Sequence, residues 1–176
     1  MLFRSAAARS FLRGTTDGLT DEQAGARTTV SELCLGGLIK HVAAVEESWM
    51  RFVLEGPSAD EYALPEGVTW NDLMTGTARE LPQWAIEREN EFRMLPGETL
   101  AGVLEHYAEV AARTDEILAT LPDLSVSHPL PEVPWNEPGG VRSARRVFVH
   151  IVSETSQHAG HADILREAID GRKSMG

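Results

Sequence analysis

A chain of 176 residues, 42% of them apolar and 24% charged, can bury a real core, so residues 1–176 are expected to fold as a single domain. Its 16 basic against 27 acidic residues leave a net charge of −11 with histidine neutral, which argues against a nucleic-acid backbone as partner. No stretch approaches the roughly 20 apolar residues of a membrane span, Met1 to Phe11 lacks the features of a secretory signal, and the lone Cys34 excludes an intramolecular disulfide and fits a reducing cytoplasm.

Taken in order, residues 2–17 carry Phe3, Ala7, Phe11 and Leu12 at mostly helical spacing, weakened toward Gly14 and Gly18. Thr20 and Gln23 form the capping-box pattern of a short helical turn. Ser31 is the expected N-cap of a second main helix over 32–55, which Gly56 and Pro57 close. Cys34, Leu38, His41, Val45 and Phe52 share its apolar arc, whereas Lys40, Glu46, Glu47 and Arg51 lie beside or away from that centre. Gly36 and Gly37 suggest close helix packing, and Cys34 a buried thiol. Residues 57–97 are punctuated by prolines and glycines, so only a helix within 81–94, entered at Pro82, is expected, packing over one end of the bundle. Leu100, Val103, Leu104, Tyr107, Val110, Ala111, Ile117 and Leu118 recur at three- and four-residue steps. They predict a third main helix over 98–121, with Glu105 and His106 facing solvent. After a proline- and glycine-rich stretch over 123–140, the last helix begins near Arg142 or Ser143 and stops at Gly171 as its C-cap. No alternation long enough to predict a strand occurs. Three strong helices and a weaker first one predict an all-α four-helix bundle with long crossover connections.

The last helix carries the chemistry. Glu154, His158 and His161 stand at i, i+4 and i+7, within roughly 60° of one another at about 100° per residue. Val147, Ile151, Leu165 and Ala168 share that face, so ionisable groups sit in an apolar stripe, where burial is costly unless they are paired or hold a cation. His41 occupies the same kind of position in the second helix. His41, Glu154 and His158 therefore make a three-ligand set of the sort that holds a divalent metal with one position open. The bland alternative places Glu154 near solvent with the histidines merely paired to it. His161 is a candidate fourth ligand, a second-layer partner or a catalytic group on the open side; His150 is expected to be a packing residue. Arg166, Lys40 and the group Arg142, Arg145 and Arg146 are candidate holders of a carboxylate of a thiol cofactor, with Arg166 equally able to pair with Glu167 or Asp163. No nucleophile-elbow or phosphate-cradling glycine pattern is present.

KHVAAVEESW, residues 40–49, and HIVSETSQHAGHADILREAIDG, residues 150–171, resemble the DinB-like (YfiT-like) superfamily of metalloenzymes. The similarity is greatest to the branch with Glu rather than His in the first ligand position of the last helix, the branch related to mycothiol-dependent enzymes. The resemblance implies an up-up-down-down-type four-helix bundle and a metal, zinc or nickel, held by His41, Glu154 and His158. It implies a low-molecular-weight thiol (mycothiol, bacillithiol or glutathione) as cosubstrate, and a homodimer. The related maleylpyruvate isomerases carry an additional C-terminal domain without a counterpart here, so thiol S-transfer to a small electrophile is the expected activity. Two other readings stay open: metal-dependent hydrolysis, and a non-enzymatic, metal-stabilised stress or interaction module.

Overall fold

In this computed structural model, which describes residues 2–174, the chain runs through α1 (Leu2–Gly14), α2 (Asp21–Gly25), α3 (Leu35–Glu55), α4 (Trp70–Thr75) and α5 (Gln83–Glu91). It continues through α6 (Leu100–Thr120), the hairpin strands β1 (Ser127–Pro129) and β2 (Val141–Ser143), and α7 (Ala144–Asp170). The long helices α1, α3, α6 and α7 form the bundle, with α1 along α7 and α3 against both α6 and α7. The all-α four-helix bundle expected from periodicity is therefore the fold.

Side-chain pairs fix the helix directions. Lys40 reaches Glu98 just ahead of α6 while Glu47 meets Arg113, so α3 and α6 run parallel. His41 beside His158 and Trp49 beside His150 set α7 antiparallel to α3. Arg9 meets Glu46 midway along α3, and Thr15 beyond the end of α1 meets Arg166 near the end of α7, so α1 runs with α7. The order is up-down-down-up, which corrects the up-up-down-down type that the resemblance implied. Only the connection from α3 to α6 is a parallel crossover; the other two joints reverse direction and need none.

Helix ends follow side-chain chemistry. The capping box of Thr20 and Gln23 forms as expected, and Thr99 and Ser143 cap α6 and α7. The start of α3 differs: Ser31 accepts from Leu33 N in a local turn, and the Cys34 sulfur accepts from Gly37 N as the N-cap. The serine satisfies a nearer amide and leaves the helix to begin three residues later. Pro82 does precede α5, and Gly171 closes α7 in the left-handed conformation.

Two apolar clusters fill the bundle. Leu12, Leu35, Leu38, Ile39, Val42, Tyr107, Ala162 and Leu165 belong to one, and Met50, Phe52, Val53, Ile117, Val147, Phe148 and Ile151 to the other. Between them along α3 lies Glu46, which the sequence placed beside the stripe but which is wholly buried. Arg9 donates to both of its carboxylate oxygens and, at 2.8 Å, to Asp115. Ala168 is exposed rather than core, and the side chain of Phe3 lies outside the described residues. The hairpin was not expected, because three-residue strands are too short to show alternation. It matters nonetheless. His128 and Arg142 are paired across it, and His128 bonds Val53 O at 3.2 Å, which fastens the hairpin to the end of α3. Among the described residues no helix is long and apolar enough to cross a membrane.

Candidate metal centre

Antiparallel packing of α3 and α7 brings His41 opposite Glu154 and His158. One donor atom from each of the three lies within 4.8 Å of the others. Metal–donor bonds of about 2.0–2.2 Å keep ligand atoms within about 4.4 Å of each other, so closing on one ion asks for a shift of under about an ångström. His41 is 1% exposed, and the side chains of Glu154 and His158 are 22% and 12% exposed. Glu154 Oε2 stands 3.6 Å from His158 Nε2 and Oε1 stands 3.9 Å from His150 Nε2, both too long for hydrogen bonds. The bland alternative, histidines paired to the carboxylate, thus lacks its bonds.

His41 is held from behind by a residue the sequence did not reveal. Its Nδ1 lies 2.9 Å from Glu91 Oε2, at the end of α5, and the same oxygen accepts from Arg88 at 3.1 Å. A carboxylate can only accept, so the ring proton sits on Nδ1 and the Nε2 lone pair is left facing the other two donors. This is the usual means of orienting a metal-binding imidazole. The Phe92 ring stacks on His41 with centroids 4.0 Å apart and 24° between planes, closing that side to water.

Gly37 is what lets this segment approach. A Cβ there would fall 2.1 Å from Phe92 O, and one on Gly36 would meet the Met94 sulfur at 2.4 Å. Lys40 fastens the same segment, donating to Asn90 O, Arg93 O and Glu98. The glycine doublet was a legible sign that something packs against α3; that the something delivers Glu91 and Phe92 was not.

The remaining candidates separate. His161 Nδ1 lies 3.4 Å from His158 Nδ1, on the side of that ring away from Glu154. His150 packs edge-on to Trp49, at 5.4 Å between centroids. Arg166 pairs with neither Glu167 nor Asp163. It bonds Asp170 and the carbonyls of Thr15 and Asp17, tying the end of α1 to α7, and so is engaged in the fold. Lys40 is likewise taken. Both results follow from burial, which forces a cation to find internal acceptors.

Burial, helped by the positive potential of His41, pushes the His158 pKa down to about 4, although Glu154 opposes it. Burial also holds His150 below the ordinary histidine range, with Arg142 adding to the effect and Glu154 opposing it. An imidazole kept neutral offers a lone pair rather than a proton. Two imidazoles and a carboxylate are donors that suit a borderline divalent ion such as zinc.

The family model described as Mycothiol-S-transferase matches residues 6–171. A crystal structure titled as the conserved protein of locus from Enterococcus faecalis is similar, with a TM-score of 0.64 at 14% identity. The match covers 97% of this chain and 95% of that one. At that identity the likeness speaks for the fold alone. Comparison with curated proteins finds no match.

Proposed function

The chain belongs to the mycothiol-S-transferase family, and from that premise we propose that it is a metal-dependent transferase joining mycothiol to a small electrophile. The observation that carries this reading is the convergence of His41, Glu154 and His158, with His41 oriented by Glu91. In this reading those three side chains hold one divalent ion, zinc or nickel. Such an ion supplies a position at which a coordinating thiol loses its proton near neutral pH.

The protein's own residues do the rest. Glu91 and Arg88 fix the His41 ring, and Phe92 screens it from water. Glu154 brings one negative charge against two neutral imidazoles, so the site stays net positive and attracts an anionic sulfur. His161, at the second nitrogen of His158, takes the orienting part that Glu91 takes for His41. It is thus proposed as a positioning residue, the second-layer role among the readings that the sequence left open, rather than as a fourth ligand or a catalytic group. The partly exposed edges of Glu154 and His150 mark the side from which thiol and electrophile enter.

Purified, zinc-loaded protein incubated with mycothiol and a chromogenic electrophile should form the conjugate, lose the activity on chelation and regain it on adding the ion back. Conjugation untouched by exhaustive chelation would overturn the proposal. So would turnover of ester or amide substrates in the absence of thiol.

A further inference from the structure

Among the described residues, three cations drawn into the fold are matched with acceptors. Arg9 is bonded to Glu46 and Asp115, Arg166 to Asp170 and two carbonyls, and Lys40 to Glu98 and two carbonyls. Arg142, only partly buried, is not so matched. Its Nε is buried without a hydrogen-bond partner, and among the described residues its guanidinium makes no ion pair. Its contact is the face of Trp49, with the guanidinium carbon 4.8 Å from the ring centroid. Burial and the like charge of Arg146 both disfavour its charged form. A chain of net charge −11 has carboxylates to spare, yet none is placed here.

The surroundings say what this cation is for. The hairpin that carries Arg142 is fastened to α3 through His128, so the guanidinium is held in place by a rigid element. Trp49, on which it lies, is also in edge contact with His150, and His150 flanks Glu154. Arg142, Trp49, His150 and Glu154 thus form a chain of neighbours that leads from the guanidinium to the converging donors. A planar fork of N–H donors stacked on an aromatic face is suited to a bidentate carboxylate.

We propose that Arg142, backed by Trp49, is the subsite for a carboxylate carried by the electrophilic substrate, so that the enzyme selects small organic acids over neutral electrophiles. This rests on the transferase reading above and adds the substrate class to it. The carboxylate is assigned to the electrophile because mycothiol, whose acetylcysteine carboxyl is tied up as an amide on an amino sugar, has no ionised group to offer apart from its thiol.

Two measurements test it separately from that reading. The first is binding of benzoate against benzamide by calorimetry to the metal-free full-length protein, where no ion can attract the carboxylate. Benzoate should bind preferentially, and Arg142→Gln should reduce the preference about 10- to 100-fold, the range for a charge-assisted hydrogen-bonded pair. The second is kcat/KM of the zinc-loaded protein for 4-(bromomethyl)benzoate against its methyl ester, with mycothiol as thiol; this ratio should fall by a similar factor in Arg142→Gln. Equal binding of benzoate and benzamide by the wild-type protein overturns the proposal whatever the variant does, as does an unchanged preference in a folded Arg142→Gln protein. Absence of conjugation with either bromide counts against the transferase reading, and the calorimetry then still decides on Arg142.

Discussion

Two ionisable clusters lie on α3 about one and a half turns apart, at Glu46 and at His41, and they are built on opposite logic. Around Glu46 the charges answer one another: Arg9 supplies the donors, Glu46 and Asp115 the acceptors, and the group is closed. Around His41 the three converging side chains can each offer an acceptor. Glu91 takes the one proton of His41 from behind, Glu154 brings a carboxylate, and burial keeps His158 neutral. A set of acceptors cannot satisfy itself. The first cluster therefore belongs to the fold, and the second could hold a cation from outside.

The sharpest way to break this contrast is to open the closed cluster. Glu46→Ala leaves Arg9 buried with only the half-exposed Asp115 and should cost about 3–5 kcal/mol of unfolding free energy, read by urea denaturation. Metal stoichiometry in the folded fraction should not change. A loss of bound metal that matches the loss of stability would show the two clusters to be one.

The open cluster should respond to pH instead. With its folded pKa down at about 4 against the ordinary 6.5, His158 stays neutral in the native protein while the unfolded chain takes up a proton. Its contribution is complete above pH 6.5, is lost as pH falls through the window between those values, and levels off below it. The loss amounts to about 3 kcal/mol in metal-free protein. Denaturation midpoints across that window should therefore drop for the wild type and flatten in His158→Gln. An identical slope in the variant would contradict the assignment.

A smaller effect separates the layer behind the donors from the donors themselves. Glu91→Gln keeps the size of the side chain but weakens its hold on His41, and should lower zinc affinity about 10- to 100-fold in competition with a chromogenic chelator. Unchanged affinity would mean that the contact with Glu91 is incidental.

How much of this was legible in the sequence depends on range. The four-residue register of Glu154 and His158 within one helix, and the place of His41 in the apolar arc of another, follow from periodicity alone. Local caps at Thr20 and Gly171 were equally plain. What the chain order hid were contacts made across the crossovers. Glu91 sits in a nine-residue helix of weak pattern, and nothing in its neighbourhood points to a histidine 50 residues earlier. Glu46 read only as a residue beside the apolar stripe, because its partner Arg9 comes from a helix with its own weak signal. Arg142 read as one of three clustered arginines. Only the hairpin, too short to announce itself, sets it apart on Trp49.

The claim on which all of this turns is that His41, Glu154 and His158 share one ion. Elemental analysis of protein exhaustively chelated, reloaded with zinc and freed of excess ion tests it most directly. The wild type should retain one equivalent, and His41→Ala, Glu154→Gln and His158→Gln, each verified as folded, should retain essentially none. A full equivalent retained by His41→Ala would contradict the account.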